Sequence, residues 1–97
     1  MRQRRLQNPA AREAYERARR AHEIGGAIRR ERERVGLSQR QLAERMKSTQ
    51  SVVARLEAGA VTPTLVTLDR VASALGVELL VQLRRSSRRP GHERAAS

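Results

Sequence analysis

Apolar positions along most of this 97-residue chain recur at three- and four-residue steps, the spacing of one helix face. Asn8-Pro9 suits a helix start, because Asn can cap and Pro is favoured in the first turn. Ala11, Tyr15, Ala18 and His22 then make a weak stripe. Gly25-Gly26 interrupts it and predicts a bend or a new helix. The next helix is expected from about Ile24 to Val35, with Gly36 just past its end. Ser38 and Gln41 fit a capping box, opening a helix that buries Leu42, Ala43 and Met46. Lys47-Ser48 reads as a turn. Thr49 to Glu57 is the following helix, with Val52, Val53 and Leu56 apolar and Ala58-Gly59 closing it. After Thr62-Pro63-Thr64, Leu65, Leu68, Val71, Ala72 and Leu75 mark a last helix that Gly76 ends.

The period then changes. Val77, Leu79, Val81 and Leu83 alternate with Glu78, Leu80 and Gln82, which predicts a β-strand. A lone strand carries an unpaired edge, so it is expected to pair with a second copy or another chain. The competing reading is an extended tail lying on the helices. From Ser86 onward the chain is polar and rich in breakers, as in a disordered tail. The division is therefore a basic arm and helix over 1–23, a central domain over 24–76, a strand over 77–84 and a basic tail over 85–97.

Composition narrows the classes of chemistry. Tyr15 is the only aromatic residue, so a thin core of Leu, Val, Ile, Ala and Met is expected. Without cysteine there is no disulfide and no thiolate metal site. No apolar run approaches membrane-spanning length, and no apolar stretch follows the basic N-terminus, so a soluble cytoplasmic protein is expected. His22 and His92 have no partner spacing for a metal or a general base, and Gly25-Gly26 lacks the strand and lysine of a phosphate loop. No enzymatic activity, metal or cofactor is expected. An RNA-binding module is disfavoured by the lack of stacking aromatics.

The net charge is +11, and it is unevenly placed. Residues 1–34 hold eleven Arg against five Glu. Residues 35–83 hold five basic against four acidic residues, and residues 84–97 hold five Arg against one Glu. Basic flanks around a nearly neutral centre suit a polyanionic partner. They equally suit solvated tails.

The segment from Gln39 to Glu57 decides between these. Two short helices joined by a tight turn cross steeply in a helix-turn-helix. Ala43 is small enough for close crossing, and Leu42, Met46, Val53 and Leu56 can seal it. The second helix presents Thr49, Gln50 and Ser51 at its start and Arg55 one turn on, where polar groups meet base edges.

Gly36-Leu37-Ser38-Gln39, Leu42-Ala43-Glu44, Gln50-Ser51-Val52-Val53, Leu56-Glu57-Ala58-Gly59 and Pro63-Thr64-Leu65-Val66-Thr67-Leu68 resemble the lambda-repressor-like (XRE-type) helix-turn-helix family. Ala72-Ser73-Ala74-Leu75-Gly76-Val77 continues the match. The resemblance implies an all-α bundle of about five helices, here with an N-terminal extra helix and one C-terminal strand, that binds a palindromic operator in double-stranded DNA as a homodimer. Half-sites would lie about 10 bp apart or a multiple of that. It implies that Gln39 anchors a phosphate, that Gln50, Ser51 and Arg55 read the major groove, and that Thr49, Ala54 and Ala58-Gly59 lie close to the DNA. Arg40 and Lys47 would add phosphate contacts, with Arg29, Arg30 and Arg45 nearby and an Arg-rich arm entering the minor groove. Arg32 and Glu57 match positions of a structural ion pair. Lys47 departs from the pattern, since glycine is usual in that turn. Val77, Leu79, Val81 and Leu83 would form the dimer strand.

Asn8-Pro9, Ala14-Tyr15-Glu16 and the end Ala74-Leu75-Gly76-Val77-Glu78-Leu79-Leu80-Val81-Gln82-Leu83 look like HigA-type antitoxins. That likeness implies repression of its own operon and neutralisation of a RelE/HigB-like ribonuclease toxin, a protein partner. The alternative is a stand-alone repressor from a phage or mobile element, without a toxin.

Overall fold

The computed structural model describes residues 8–86, which form four helices. They are α1 (Pro9–Arg34), α2 (Gln39–Met46), α3 (Gln50–Glu57) and α4 (Leu65–Leu75). Each starts at a capping side chain. Asn8 Oδ1 accepts from the amides of Ala10 and Ala11, and the Thr49 and Thr64 hydroxyls accept from Val52 and Thr67. At α2 the Ser38 hydroxyl accepts from the Gln41 amide at 3.0 Å. The Gln41 side chain accepts from the Ser38 amide at 2.8 Å, completing the capping box.

All four helices also end alike. A residue with positive φ follows the last turn: Gly36, Lys47, Gly59 and Gly76. The amide after it reaches back to a carbonyl five residues earlier, as Leu37 does to Arg32, Ser48 to Ala43, Ala60 to Arg55 and Val77 to Ala72. This turn satisfies the carbonyls that a helix end leaves open, and three of the four use glycine, which bears no Cβ penalty there.

The expected break at Gly25-Gly26 does not occur. α1 runs unbroken for 26 residues, about 39 Å at the usual rise per residue, and the chain has four helices among the described residues, not five. Gly25 is there for packing. A methyl group on it would stand 2.3 Å from the Leu56 carbonyl oxygen and 2.6 Å from that of Glu57. The glycine lets α1 lie directly against the last turn of α3. Gly59 does the same on the other side, where a Cβ would stand 2.7 Å from the His22 Cα.

The core lies among the four helices. Leu42 and Val53 are fully enclosed, with Ile28, Ala43, Met46, Leu56, Val71 and Leu75 around them. Two arginines join α2 to α4 through backbone carbonyls. Arg70 Nη2 donates to the carbonyls of Met46 and Lys47 at the end of α2, and Arg45 Nη1 donates to that of Ala74 at 3.3 Å. Cations there complement the negative ends of both helix dipoles.

The expected C-terminal strand is also corrected. Residues 77–86 form no strand. A strand needs a backbone partner, and no described segment lies alongside to supply one. Val77 and Leu79 are half-buried, whereas Leu80, Val81 and Leu83 face solvent. With α1 and α4 this segment borders an apolar groove of about 540 Å³, lined by Ile24, Leu65, Leu68 and Leu79 among others.

Candidate nucleic-acid interface

The helix α3 is short and packs on the core along one side. Thr49 is its N-cap, with extended backbone, and the helix proper is Gln50–Glu57. Val53, Leu56 and Glu57 face inward. At 100° per residue, Gln50, Ser51, Ala54, Arg55 and Ala58 share the opposite side. Gln50, Ser51, Arg55 and Ala58 are exposed, and Ala54 is half-buried between them. Gln50, Ser51 and Arg55 thus stand clear of the core, a polar surface at the open end of the helix.

The helix is anchored at its far end by a buried ion pair. Arg32 Nε donates to Glu57 Oε2 at 2.6 Å and Arg32 Nη2 to Glu57 Oε1 at 3.0 Å, a two-pronged contact from α1 to α3. The two side chains are 11% and 4% exposed. Arg32 Nη1 also donates to the Leu37 carbonyl at 2.7 Å. Gln39 Nε2 donates to Glu57 Oε1 at 3.0 Å, so the start of α2 joins the same carboxylate. One carboxylate therefore fixes three segments. The hydrogen bond to Glu57 raises the Arg32 pKa above its ordinary value, against the opposing effect of burial.

Gln39 is accordingly tied within the protein through one of its two amide hydrogens. It borders a notch of about 350 Å³ together with Arg29, Arg32, Ala54, Glu57 and Ala58. Arg40 is exposed at the start of α2. Lys47 is exposed in the turn, at φ 57° and ψ 47°, the left-handed conformation that glycine takes more easily. Thr49 is exposed as well.

Among the cations expected near DNA, Arg45 donates to the Ala74 carbonyl at the end of α4. Its charge looks no different from that of Arg40 in sequence, so only the packing of α4 reveals the contact. Val77 and Leu79, expected in a dimer strand, are half-buried, while Val81 and Leu83 are 61% and 98% exposed. The N-terminal arm lies outside the described residues, as does the tail from residue 87. Among the described residues no group of acidic residues and histidines could hold a metal ion, and no helix is long and apolar enough to cross a membrane.

Residues 28–82 match the family model described as helix-turn-helix, HTH_3. Over 51 residues the chain is 43% identical to an uncharacterized HTH-type transcriptional regulator of Methanothermobacter thermautotrophicus, covering 53% of this chain and 74% of that one. The fold is similar to the restriction-modification controller protein C.AhdI of Aeromonas hydrophila. The TM-score is 0.61 at 31% identity, over 63% of this chain and 88% of the other.

Proposed function

The chain belongs to the XRE-type helix-turn-helix family, and we propose that it is a transcriptional repressor that binds a palindromic operator in double-stranded DNA as a homodimer. The observation that carries this reading is the polar side of α3. Gln50, Ser51 and Arg55 stand exposed on one side of a helix whose other side is locked to the core. Arg can engage guanine bidentately and Gln adenine, each contact giving roughly 1–3 kcal/mol of discrimination. Gln39, Arg40, Lys47 and Thr49 would contact the phosphates around this helix, and Ala54 would leave room for it in the groove. A core domain carrying little net charge gives such a protein register, and the basic flanks give it affinity.

The dimer reading is supported by the apolar groove and by the extended segment after α4. Leu80 and Leu83 there are 79% and 98% exposed, and Leu65 and Val66 of α4 are exposed too. Exposed apolar surface of this kind marks an interaction site. Two copies meeting through this groove and the segment after α4 would cover it.

The likeness to HigA-type antitoxins supports a second role, capture of a RelE/HigB-like toxin on the same surface. The matched helix-turn-helix region and the regulator it resembles call for no toxin, so the stand-alone regulator is the reading preferred.

Footprinting on DNA upstream of the chain's own gene tests the proposal. A symmetric protected site is expected. Arg55→Ala should relax preference at one base position, whereas Arg40→Ala should weaken binding to all sequences alike. Uniform loss in both variants would refute the base-reading assignment. Repeating the assay with the product of a neighbouring gene tests the toxin role, and a product that neither binds nor arrests growth would remove it.

A further inference from the structure

The apolar groove beside α1 carries an inference that deepens the dimeric-repressor reading and, for its effect on the operator, rests on it. The groove holds about 540 Å³, within the range of small-molecule sites. The buried side chains of Ile28, Val71 and Leu75 form its floor, and the half-buried Ile24, Leu68 and Leu79 border it. Along α1 the lining residues run from Arg17 to Glu31, about 21 Å at the usual rise per residue. Arg17 and Arg20 stand at one end of that run and Glu31 at the other. Glu31 is already held by Arg34, at 2.9 Å. Arg17 and Arg20 are exposed and have no hydrogen bond or ion pair among the described residues. The carboxylates one turn from Arg20, Glu16 and Glu23, are both bonded to Arg19 instead. Glu78 is the one other carboxylate that borders the groove, so its cations are in excess.

We infer that this groove is a site for a linear amphipathic carboxylate, with its apolar chain along α1 and its head group at Arg17 and Arg20. Guanidinium donors suit carboxylate oxygens, and the apolar floor takes an alkyl chain out of water. The excess charge is what selects an anionic ligand. A second copy brings the same two arginines to the groove, whereas a carboxylate neutralises them. The groove does not hold an alkyl chain and a second copy at once. A bound ligand therefore draws the protein from dimer to monomer by mass action, and off its operator.

The test uses myristate as the probe, kept below micelle-forming concentrations, and the full-length chain without DNA. Calorimetric titration should show one myristate per chain. Laurate, two methylenes shorter, should bind roughly fifteenfold more weakly. Dodecyltrimethylammonium, a cation with a chain of laurate's length, should not bind. The double variant Arg17→Gln/Arg20→Gln should lose about tenfold or more in affinity for myristate. Arg84→Gln/Arg85→Gln, which removes the same charge outside the groove, should bind as wild type does. Ala27 is exposed at the groove, so Ala27→Trp should block the site without disturbing the core. Thermal melts of all variants should match wild type. Absence of saturable binding overturns the site, and so does equal binding by Ala27→Trp, which would mean adsorption to the basic surface. On the footprinted operator, saturating myristate should remove wild-type protection and spare that of Arg17→Gln/Arg20→Gln at the same concentration. Protection that persists with the groove filled overturns the competition. Missing protection without any ligand would be a failure of the DNA-binding reading instead, on which the DNA-free titration does not depend.

Discussion

At the scale of single residues, three backbone positions explain more than their composition suggests. Lys47 occupies the left-handed end of α2, where the other helices place glycine. A side chain in that conformation costs about 1–2 kcal/mol, part of which a glycine would lose again through the freedom of its unfolded chain. Lys47→Gly should therefore stabilise the domain by roughly 0.5–1 kcal/mol, read as a higher urea midpoint with unchanged m-value. Its DNA affinity should fall if the Lys47 charge reaches a phosphate. Gly25 and Gly26 are adjacent and opposite in consequence. Gly25→Ala must push α1 away from the Leu56 and Glu57 carbonyls, an overpacking that costs about 1–3 kcal/mol or more. At Gly26 an added Cβ meets only the end of the Arg30 side chain, at 3.3 Å. Gly26→Ala should therefore gain up to about 1 kcal/mol of helix propensity. Equal effects of the two substitutions on the melting temperature would refute the packing role given to Gly25.

At the scale of elements, the Arg32–Glu57–Gln39 contact is what orients α3. It joins α1, the start of α2 and the end of α3 through one buried carboxylate. Removing one partner of a buried pair leaves the other without compensation, at about 3–5 kcal/mol. Glu57→Ala should lower stability by that order, in chemical denaturation monitored by circular dichroism. Because the pKa of Arg32 is raised, its contribution is complete below the ordinary arginine value and fades only as pH climbs through the raised one. No loss traceable to Arg32 is expected between neutral and mildly alkaline pH. The pairing of these residues was legible only through family resemblance. Residues 25 positions apart carry no periodic signal of their own. The same holds for Arg45 and Arg70, which look like solvent cations in sequence and serve as links between α2 and α4.

At the scale of the whole molecule, most of the large exposed apolar residues among those described, Leu65, Val66, Leu80, Val81 and Leu83, belong to α4 and the segment after it. If two copies meet there, Leu80→Asp should leave the monomer fold intact, since Leu80 is 79% exposed. It should shift the species seen by sedimentation from dimer to monomer and weaken operator binding at least tenfold. An unchanged mass for the variant would remove this face as the dimer contact.

The sequence by itself determined what is local. Asn8, Ser38 and Thr64 cap, the hydrophobic steps of α2, α3 and α4 select their inner faces, and Gly36, Gly59 and Gly76 stop the helices that precede them. These depend on a few neighbouring residues, so a reading along the chain reaches them. The exposed Gln50, Ser51 and Arg55 follow from the same periodicity. Only the tertiary structure decided the rest. Gly25-Gly26 carries the same signal whether it breaks a helix or admits a neighbour, and the approach of α3 selects the second. An alternating segment such as 77–83 becomes a strand only when another backbone lies beside it, and within this chain none of the described ones does. Arg17 and Arg20 look like any other arginines until the packing of α1 sets them at the apolar groove.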